Sequence, residues 1–332
     1  MSKKARVFVT RRVPEEALRL LAQGGLPQSV EVEVWPEEEP PPPEVLREKV
    51  SSIEGLYTNI MDRVDDSVLA AGKSLRVVSQ MAAGLDNIDV GAATRRGIPV
   101  GYTPGIVAAA TADQTFALLL ASARRVSESG RWVRAGNWKI AFHPMYWLGW
   151  EVHGSTIGIV GMGKIGMEVA KRARGFDMRV LYCSRRRNEE AEKVYGAERR
   201  ELASLLRESD FVSLHVPLTP ETRGLVGERE LRSMKKTSIL VNAARGPVVD
   251  AKALYRALKE GWIAGAALDV TDPEPMPAGD PLLTLENCVV APHLGSATVG
   301  TRTRMAVAAS KNLLAGLRGE RLPLCANPEV YD

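Results

Sequence analysis

The chain has 332 residues, with 44 lysines and arginines against 40 aspartates and glutamates, a formal net charge of +4. With 45% apolar and 25% charged residues it reads as an ordinary globular protein of about two domains, which excludes wholesale disorder and a disulfide scaffold. The thin charge surplus argues against a nucleic-acid partner, and three cysteines without a CxxC spacing, Cys183, Cys288 and Cys325, point to a reducing cytoplasm.

The basic start at residues 1–6 leads straight into Val7-Phe8-Val9-Thr10, which reads as a first strand and not a signal peptide. Short β-branched runs at 6–10, 30–35, 55–58, 76–80 and 98–102 then alternate with helix-permissive stretches at 14–23, 43–51, 67–71 and 90–96. Such alternation predicts a parallel sheet wrapped on both faces. The Glu/Pro-rich segment 36–43 is a surface loop. Residues 107–125 form a long helical pattern; its apolar part, 108–123, is interrupted by Asp113 and Gln114 and is shorter than the roughly 18 residues of a membrane span.

An aromatic tract follows. Trp132, Trp138, Trp147 and Trp150 lie within 19 residues, with Phe142 and Tyr146 among them. An arm of this kind, about 128–153, is either core or subunit interface, and the interface is favoured. A second alternating series places strands at 156–160, 179–183, 211–216, 238–242, 265–270 and 288–291. Helices are expected at 167–174, at 251–260 between Asp250 as N-cap and Gly261, and at 301–317.

Gly161-Met162-Gly163-Lys164-Ile165-Gly166 sits between an apolar strand and a helix. Glycines there allow a tight turn, approach of a pyrophosphate and close helix packing, and the helix N-terminus supplies amide donors. The second strand ends in Ser184-Arg185-Arg186-Arg187, where an NAD site would place an acid. A hydroxyl followed by guanidinium groups suits a 2′-phosphate, so NADPH is favoured and NADH remains possible.

In a doubly wound sheet, ligands sit outside the carboxyl ends of the strands. Arg245, Asp269, Glu274 and His293 all fall just past such ends. His293 is the best proton donor, Glu274 between Pro273 and Pro275 its orienting partner, and Arg245 a carboxylate clamp. His215 reads as a satisfied core or loop histidine, and His143 with His153 makes no metal pair, so no metal is expected.

These residues resemble the D-isomer-specific 2-hydroxyacid dehydrogenase family, most closely its glyoxylate/hydroxypyruvate reductase branch. The resemblance rests on Gly84-Leu85-Asp86-Asn87-Ile88-Asp89, Thr111-Ala112-Asp113, the 158–166 turn, His215-Val216-Pro217-Leu218-Thr219, Ala244-Arg245-Gly246, Leu268-Asp269-Val270 and Pro292-His293-Leu294-Gly295. The branch is suggested by 269–275, 281–288 and 312–320. The resemblance implies two doubly wound parallel-sheet domains, with a Rossmann NAD(P) domain (104–298) inserted into a flavodoxin-like substrate domain (1–103 plus 299–332).

It further implies that Arg245 binds the substrate carboxylate, His293 protonates the carbonyl oxygen and Glu274 keeps His293 protonated. Backbone amides of Ala83 and Gly84 would hold the carboxylate from the other domain, and domain closure would exclude water. Asp269 would contact the nicotinamide carboxamide, while Thr111, Pro217, Ala243 and Gly295 line the cofactor beside Met162, Gly163, Lys164 and Ile165; the arm 128–153 would be the contact of a homodimer, and a tryptophan near Trp147 would reach the neighbouring subunit's site. The activity implied is reduction of a small 2-oxo acid. Alternatives are a 3-phosphoglycerate dehydrogenase or a nucleotide-sensing corepressor-like module.

Overall fold

The computed structural model describes residues 4–24 and 30–332; residues 1–3 of the basic start lie outside them. In chain order the first elements are β1 (Ala5–Val9), α1 (Glu15–Gln23), β2 (Val30–Val34), α2 (Pro43–Val50), β3 (Gly55–Thr58), α3 (Asp66–Ala71), β4 (Val77–Gln80), α4 (Val90–Arg95) and β5 (Val100–Gly101). Next come α5 (Ala108–Ala123), α6 (Val126–Arg134), β6 (Thr156–Val160), α7 (Lys164–Ala173), β7 (Arg179–Cys183), α8 (Glu189–Tyr195), β8 (Glu198–Arg199), α9 (Leu202–Glu208) and β9 (Phe211–Leu214). The chain ends with α10 (Glu228–Ser233), β10 (Ile239–Asn242), α11 (Ala251–Lys259), β11 (Gly265–Leu268), β12 (Cys288–Val290) and α12 (Val299–Arg318). It divides into two units, one comprising residues up to Val107 together with Thr298–Asp332, the other Ala108–Ala297.

The first unit carries a five-stranded sheet ordered β2-β1-β3-β4-β5, parallel throughout. The central strands β3 and β4 are buried along their whole length, whereas the edge strand β2, Val-Glu-Val-Glu-Val, alternates with period two. Asp65 and Asp89 cap α3 and α4 by accepting from amides of the first turn. The C-terminal helix α12 belongs to this unit: the Tyr57 hydroxyl donates to the Ala306 carbonyl at 3.1 Å and the Ser79 hydroxyl to Ala309 at 2.8 Å. Its stop is a left-handed Gly319.

The second unit has a seven-stranded parallel sheet, β12-β11-β10-β9-β6-β7-β8. The two halves run outward from β6 and β9, so the strand order reverses between these two, which makes it a Rossmann sheet with one added strand. Alternation along each strand sends Leu181, Val212, Leu214 and Leu240 to one face and Ile157, Ile159, Val180 and Val241 to the other, giving a separate apolar core on each side.

The long helical pattern at 107–125 is the single helix α5, and a second helix, α6, follows it at the start of the aromatic tract. α5 stops at Ala123 because the returning arm takes its free carbonyl: the Trp150 amide donates to Ala123 O at 2.9 Å. A methyl on Gly149 would overlap that same oxygen, so only glycine brings the arm this close. Arg125, at φ +53°, then turns the chain left-handed into α6. Within the arm Trp147 is half-buried, under the Arg125 guanidinium at 4.9 Å and edge-on to Trp132 at 5.6 Å. Phe142 (80% exposed), Met145, Leu148 and Trp138 are not part of any core.

Candidate active site

The glycine turn follows β6 at the point where the strand order reverses. Gly161 has φ +102°, and a Cβ there would sit 2.7 Å from the His215 carbonyl at the end of β9, so the β6–β9 seam closes only around glycine. A methyl on Gly166 would strike the Gly161 carbonyl oxygen, which explains how α7 packs so tightly on its strand. Gly163 differs, because nothing lies within 4 Å of where its Cβ would be. It is the N-cap of α7 and offers no side chain to the first-turn amides. Lys164 and Ile165 open that helix, and Met162 is buried beneath it. Open space in front of uncapped amides at the positive end of a ten-residue helix fits a dinucleotide pyrophosphate.

Past β7, Ser184 is half-buried and Arg185 and Arg186 are exposed, neither ion-paired to a carboxylate among the described residues. Arg187 is not equivalent. Its guanidinium grips Glu192 through Nη2 at 2.7 Å and Nε at 2.9 Å, and the Tyr182 hydroxyl donates to the same carboxylate at 2.6 Å. Hydrogen bonds from Arg187 and then Tyr182 hold Glu192 below the usual carboxylate range. Of the three arginines, Arg187 alone is thus engaged by a carboxylate among the described residues.

The other end of the site is built on three adjacent strands, β10, β11 and β12. After β10, buried Asn242 accepts from the Ala244 amide and donates to the Arg245 carbonyl at 2.9 Å, folding the Ala243–Arg245 turn back on its strand. Gly246 follows because any Cβ would collide with the Thr271 backbone. After β11 comes Asp269, 2% exposed. Its Oδ1 accepts from the Leu294 amide at 2.8 Å and the Gln114 side chain at 3.2 Å, and Oδ2 from the Gly295 amide at 2.8 Å. The His293 amide donates to the Asp269 carbonyl at 2.9 Å. Asp269 thus fixes the loop beyond β12, in which His293 itself takes an unfavourable left-handed φ of +54°.

His293 Nδ1 meets Glu274 Oε1 at 2.5 Å, both side chains about 70% covered (27% and 30% exposed). Burial works to raise the Glu274 carboxyl, but the His293 hydrogen bond and charge, the Thr271 amide and the Arg245 charge outweigh it and leave Glu274 below its ordinary range. Arg245 is half-buried, its Nη1 on the Ala244 carbonyl at 2.8 Å. The residues expected from strand ends, Arg245, Glu274 and His293, thus come together within one unit.

Thr111 on α5 lies beside Gly295, 3.3 Å from where a Cβ would stand, Ala243 is buried in the β10 turn, and Pro217 is exposed just past β9. Ala83 and Gly84 belong to the first unit, where the Gln80 side chain donates to the Gly84 carbonyl at 2.6 Å. His215 lies at the β9 end with Nε2 on the Ser213 hydroxyl at 2.7 Å, and burial pushes it down to about 3, so it stays neutral. Sequence reasoning passes over Asn188, Gln114 and Asn242. Asn188 alone has a local signal, a capping residue ahead of Glu189-Glu190. Among the described residues no three His, Cys, Asp or Glu side chains gather as a metal site.

A Rossmann sheet with a pyrophosphate cradle at its switch point and a histidine–carboxylate pair with an arginine at its rim defines a nicotinamide-dependent oxidoreductase. The NAD binding domain of D-isomer specific 2-hydroxyacid dehydrogenases matches residues 116–295. The chain belongs to that family, whose members act on CH–OH donors with NAD(P). A glyoxylate reductase of Korarchaeum cryptofilum is 54% identical over 98% of this chain and 97% of its own. The crystal structure of a protein from Thermus thermophilus superposes with a TM-score of 0.89 at 46% identity, covering 97% of this chain and 99% of that one. The NADPH-dependent glyoxylate/hydroxypyruvate reductase of Sinorhizobium meliloti, solved with NADP and malonate, gives 0.84 at 28% identity over 98% of each chain. No described helix is long and apolar enough to cross a membrane.

Proposed function

We propose that this chain is an NADPH-preferring reductase of glyoxylate and hydroxypyruvate, yielding the D-2-hydroxy acids glycolate and D-glycerate in the cytoplasm. The observation that carries the reading is the His293–Glu274 pair at 2.5 Å, held by Asp269 and next to the Arg245 charge. The bound reduced nicotinamide supplies the hydride to C2. Arg245 binds the carboxylate of the 2-oxo acid through its guanidinium fork and so orients the carbonyl. The ring of His293 gives its proton to the carbonyl oxygen, and Glu274, anionic across the neutral range, holds that proton in place beforehand.

Cofactor preference rests on Ser184, Arg185 and Arg186, in a run, Ser184-Arg185-Arg186-Arg187, that holds no acid to take a ribose 2′-hydroxyl. The relative from Sinorhizobium meliloti is itself NADPH-dependent. The exposed apolar arm, with Phe142, Met145 and Leu148, is the surface for a second copy of the chain. The test is one kinetic matrix, NADPH and NADH crossed with glyoxylate, hydroxypyruvate, pyruvate and 3-phosphohydroxypyruvate. The reading requires turnover of the first two acids and a higher kcat/KM with NADPH. No reduction of any 2-oxo acid, or equal use of NADH, overturns the activity or the preference respectively.

A further inference from the structure

The cofactor cradle and the ribose-side turn come from different strand ends, yet one side chain spans them. Asn188 Nδ2 donates to the Met162 carbonyl inside the glycine turn at 3.1 Å and lies 3.3 Å from Met167 Sδ. Its Oδ1 accepts from the Ala191 amide at 2.9 Å, capping α8. Only one orientation of the amide satisfies both partners, since Met162 O can only accept and Ala191 N only donate. The Asn188 backbone amide is fixed as well, donating at 3.0 Å to the hydroxyl of buried Tyr182, which in turn donates to Glu192. Glu192 is where Arg187 is held.

The stretch bearing Ser184, Arg185 and Arg186 is thus pinned at both ends. At its start the Gly161 amide donates to the Cys183 carbonyl at 2.8 Å and Arg199 reaches the Ser184 carbonyl at 3.2 Å; at its end stands Asn188. Arg185 and Arg186 have no ion-pair partner among the described residues that would hold them, so the backbone under them sets where they point.

We propose that Asn188 is a positioning residue for cofactor selection: it fixes the Arg185–Arg186 turn against the glycine turn, so that pyrophosphate and 2′-phosphate are met in one preset geometry. This rests on the reading that Arg185 and Arg186 meet the 2′-phosphate. Without the strut the turn has to be ordered on binding, a cost that falls on the cofactor carrying the extra phosphate.

The test is direct binding of NADPH and of NADH to the full-length protein, followed by quenching of intrinsic fluorescence, alongside thermal melting without cofactor. Asn188→Ser retains a capping hydroxyl but is too short to reach Met162, and Asn188→Ala removes both contacts. Asn188→Ser is expected to melt close to wild type, to raise the NADPH dissociation constant about tenfold, the equivalent of one hydrogen bond, and to change that of NADH less than about threefold. Asn188→Ala should add a loss of melting temperature. Unchanged NADPH binding by both variants, or equal weakening for both cofactors, overturns the proposal; so does a fall in melting temperature alone, which marks a plain helix cap. Wild-type protein that binds the two cofactors equally refutes instead the assignment of the 2′-phosphate to the arginines.

Discussion

Replacing Asp269 by asparagine tests what holds the His293 loop. Asp269 is almost wholly buried, and each oxygen accepts from a backbone amide at 2.8 Å, Leu294 on Oδ1 and Gly295 on Oδ2. Asparagine keeps one acceptor and sets an NH2 group against the other amide, whichever way it turns. The loss is one hydrogen bond to a charged acceptor plus an unmade buried N–H, about 2 kcal/mol. For a unit the size of Ala108–Ala297, where each kcal/mol moves the midpoint by roughly 2–4 °C, melting should fall by about 4–8 °C. Because His293 is held at φ +54° by this loop, its imidazole also relaxes away from Glu274, and kcat should drop on the order of 100-fold. Melting is measured without cofactor, so that a direct contact of Asp269 with nicotinamide cannot contribute. An Asp269→Asn protein that melts and turns over like wild type refutes the clamp.

Glu274→Gln should lower kcat about 100-fold with little change in KM, since the partner that orients the His293 ring at 2.5 Å is gone; steady-state kinetics read this. Because the folded Glu274 carboxyl lies below its ordinary range, its contribution to stability is present above the unfolded value and is lost as pH falls through the folded one, so the gap in melting temperature between wild type and Glu274→Gln should narrow below about pH 4.3. Gly166→Ala forces its methyl onto the Gly161 carbonyl and should cost about 1–3 kcal/mol in denaturant titrations while weakening NADPH and NADH alike. Arg185→Ala should raise the KM for NADPH several-fold more than Arg187→Ala, whose guanidinium is already spent on Glu192. Aspartates at Phe142 and Leu148 together should convert a dimer to monomer in sedimentation, and an unchanged mass rules out that face.

The strands and most helices are legible in the sequence because their signals are local: β-branched runs bounded by turns, Asp250 before α11, a glycine turn between strand and helix. The rule that ligands sit beyond strand ends suffices to bring Arg245, Glu274 and His293 together. Two features escape such reading because they depend on partners brought in by the fold. The helix α6, which opens the aromatic tract, follows a left-handed turn at Arg125 that lies against the returning arm, where the Trp150 amide meets the Ala123 carbonyl 27 positions earlier in the chain. The β7 turn reads as three free arginines with no carboxylate before Glu189, yet the first turn of α8 brings Glu192 back onto Arg187. Charge pattern counts residues along the chain, whereas pairing depends on where a helix starts.

The two carboxylates that follow β11 show why residue type alone underdetermines role. Asp269 and Glu274 are five positions apart and equally able to accept a proton donor. Asp269 is surrounded by backbone amides whose positions are fixed by the sheet, so its oxygens are occupied and its charge serves to hold a loop. Glu274 has only the distant Thr271 amide, at 3.5 Å, and its other oxygen is left for the one partner that can carry a proton to and fro, His293. Supply of backbone donors thus divides the labour: the carboxylate saturated by amides builds the site, and the unsaturated one is available for chemistry.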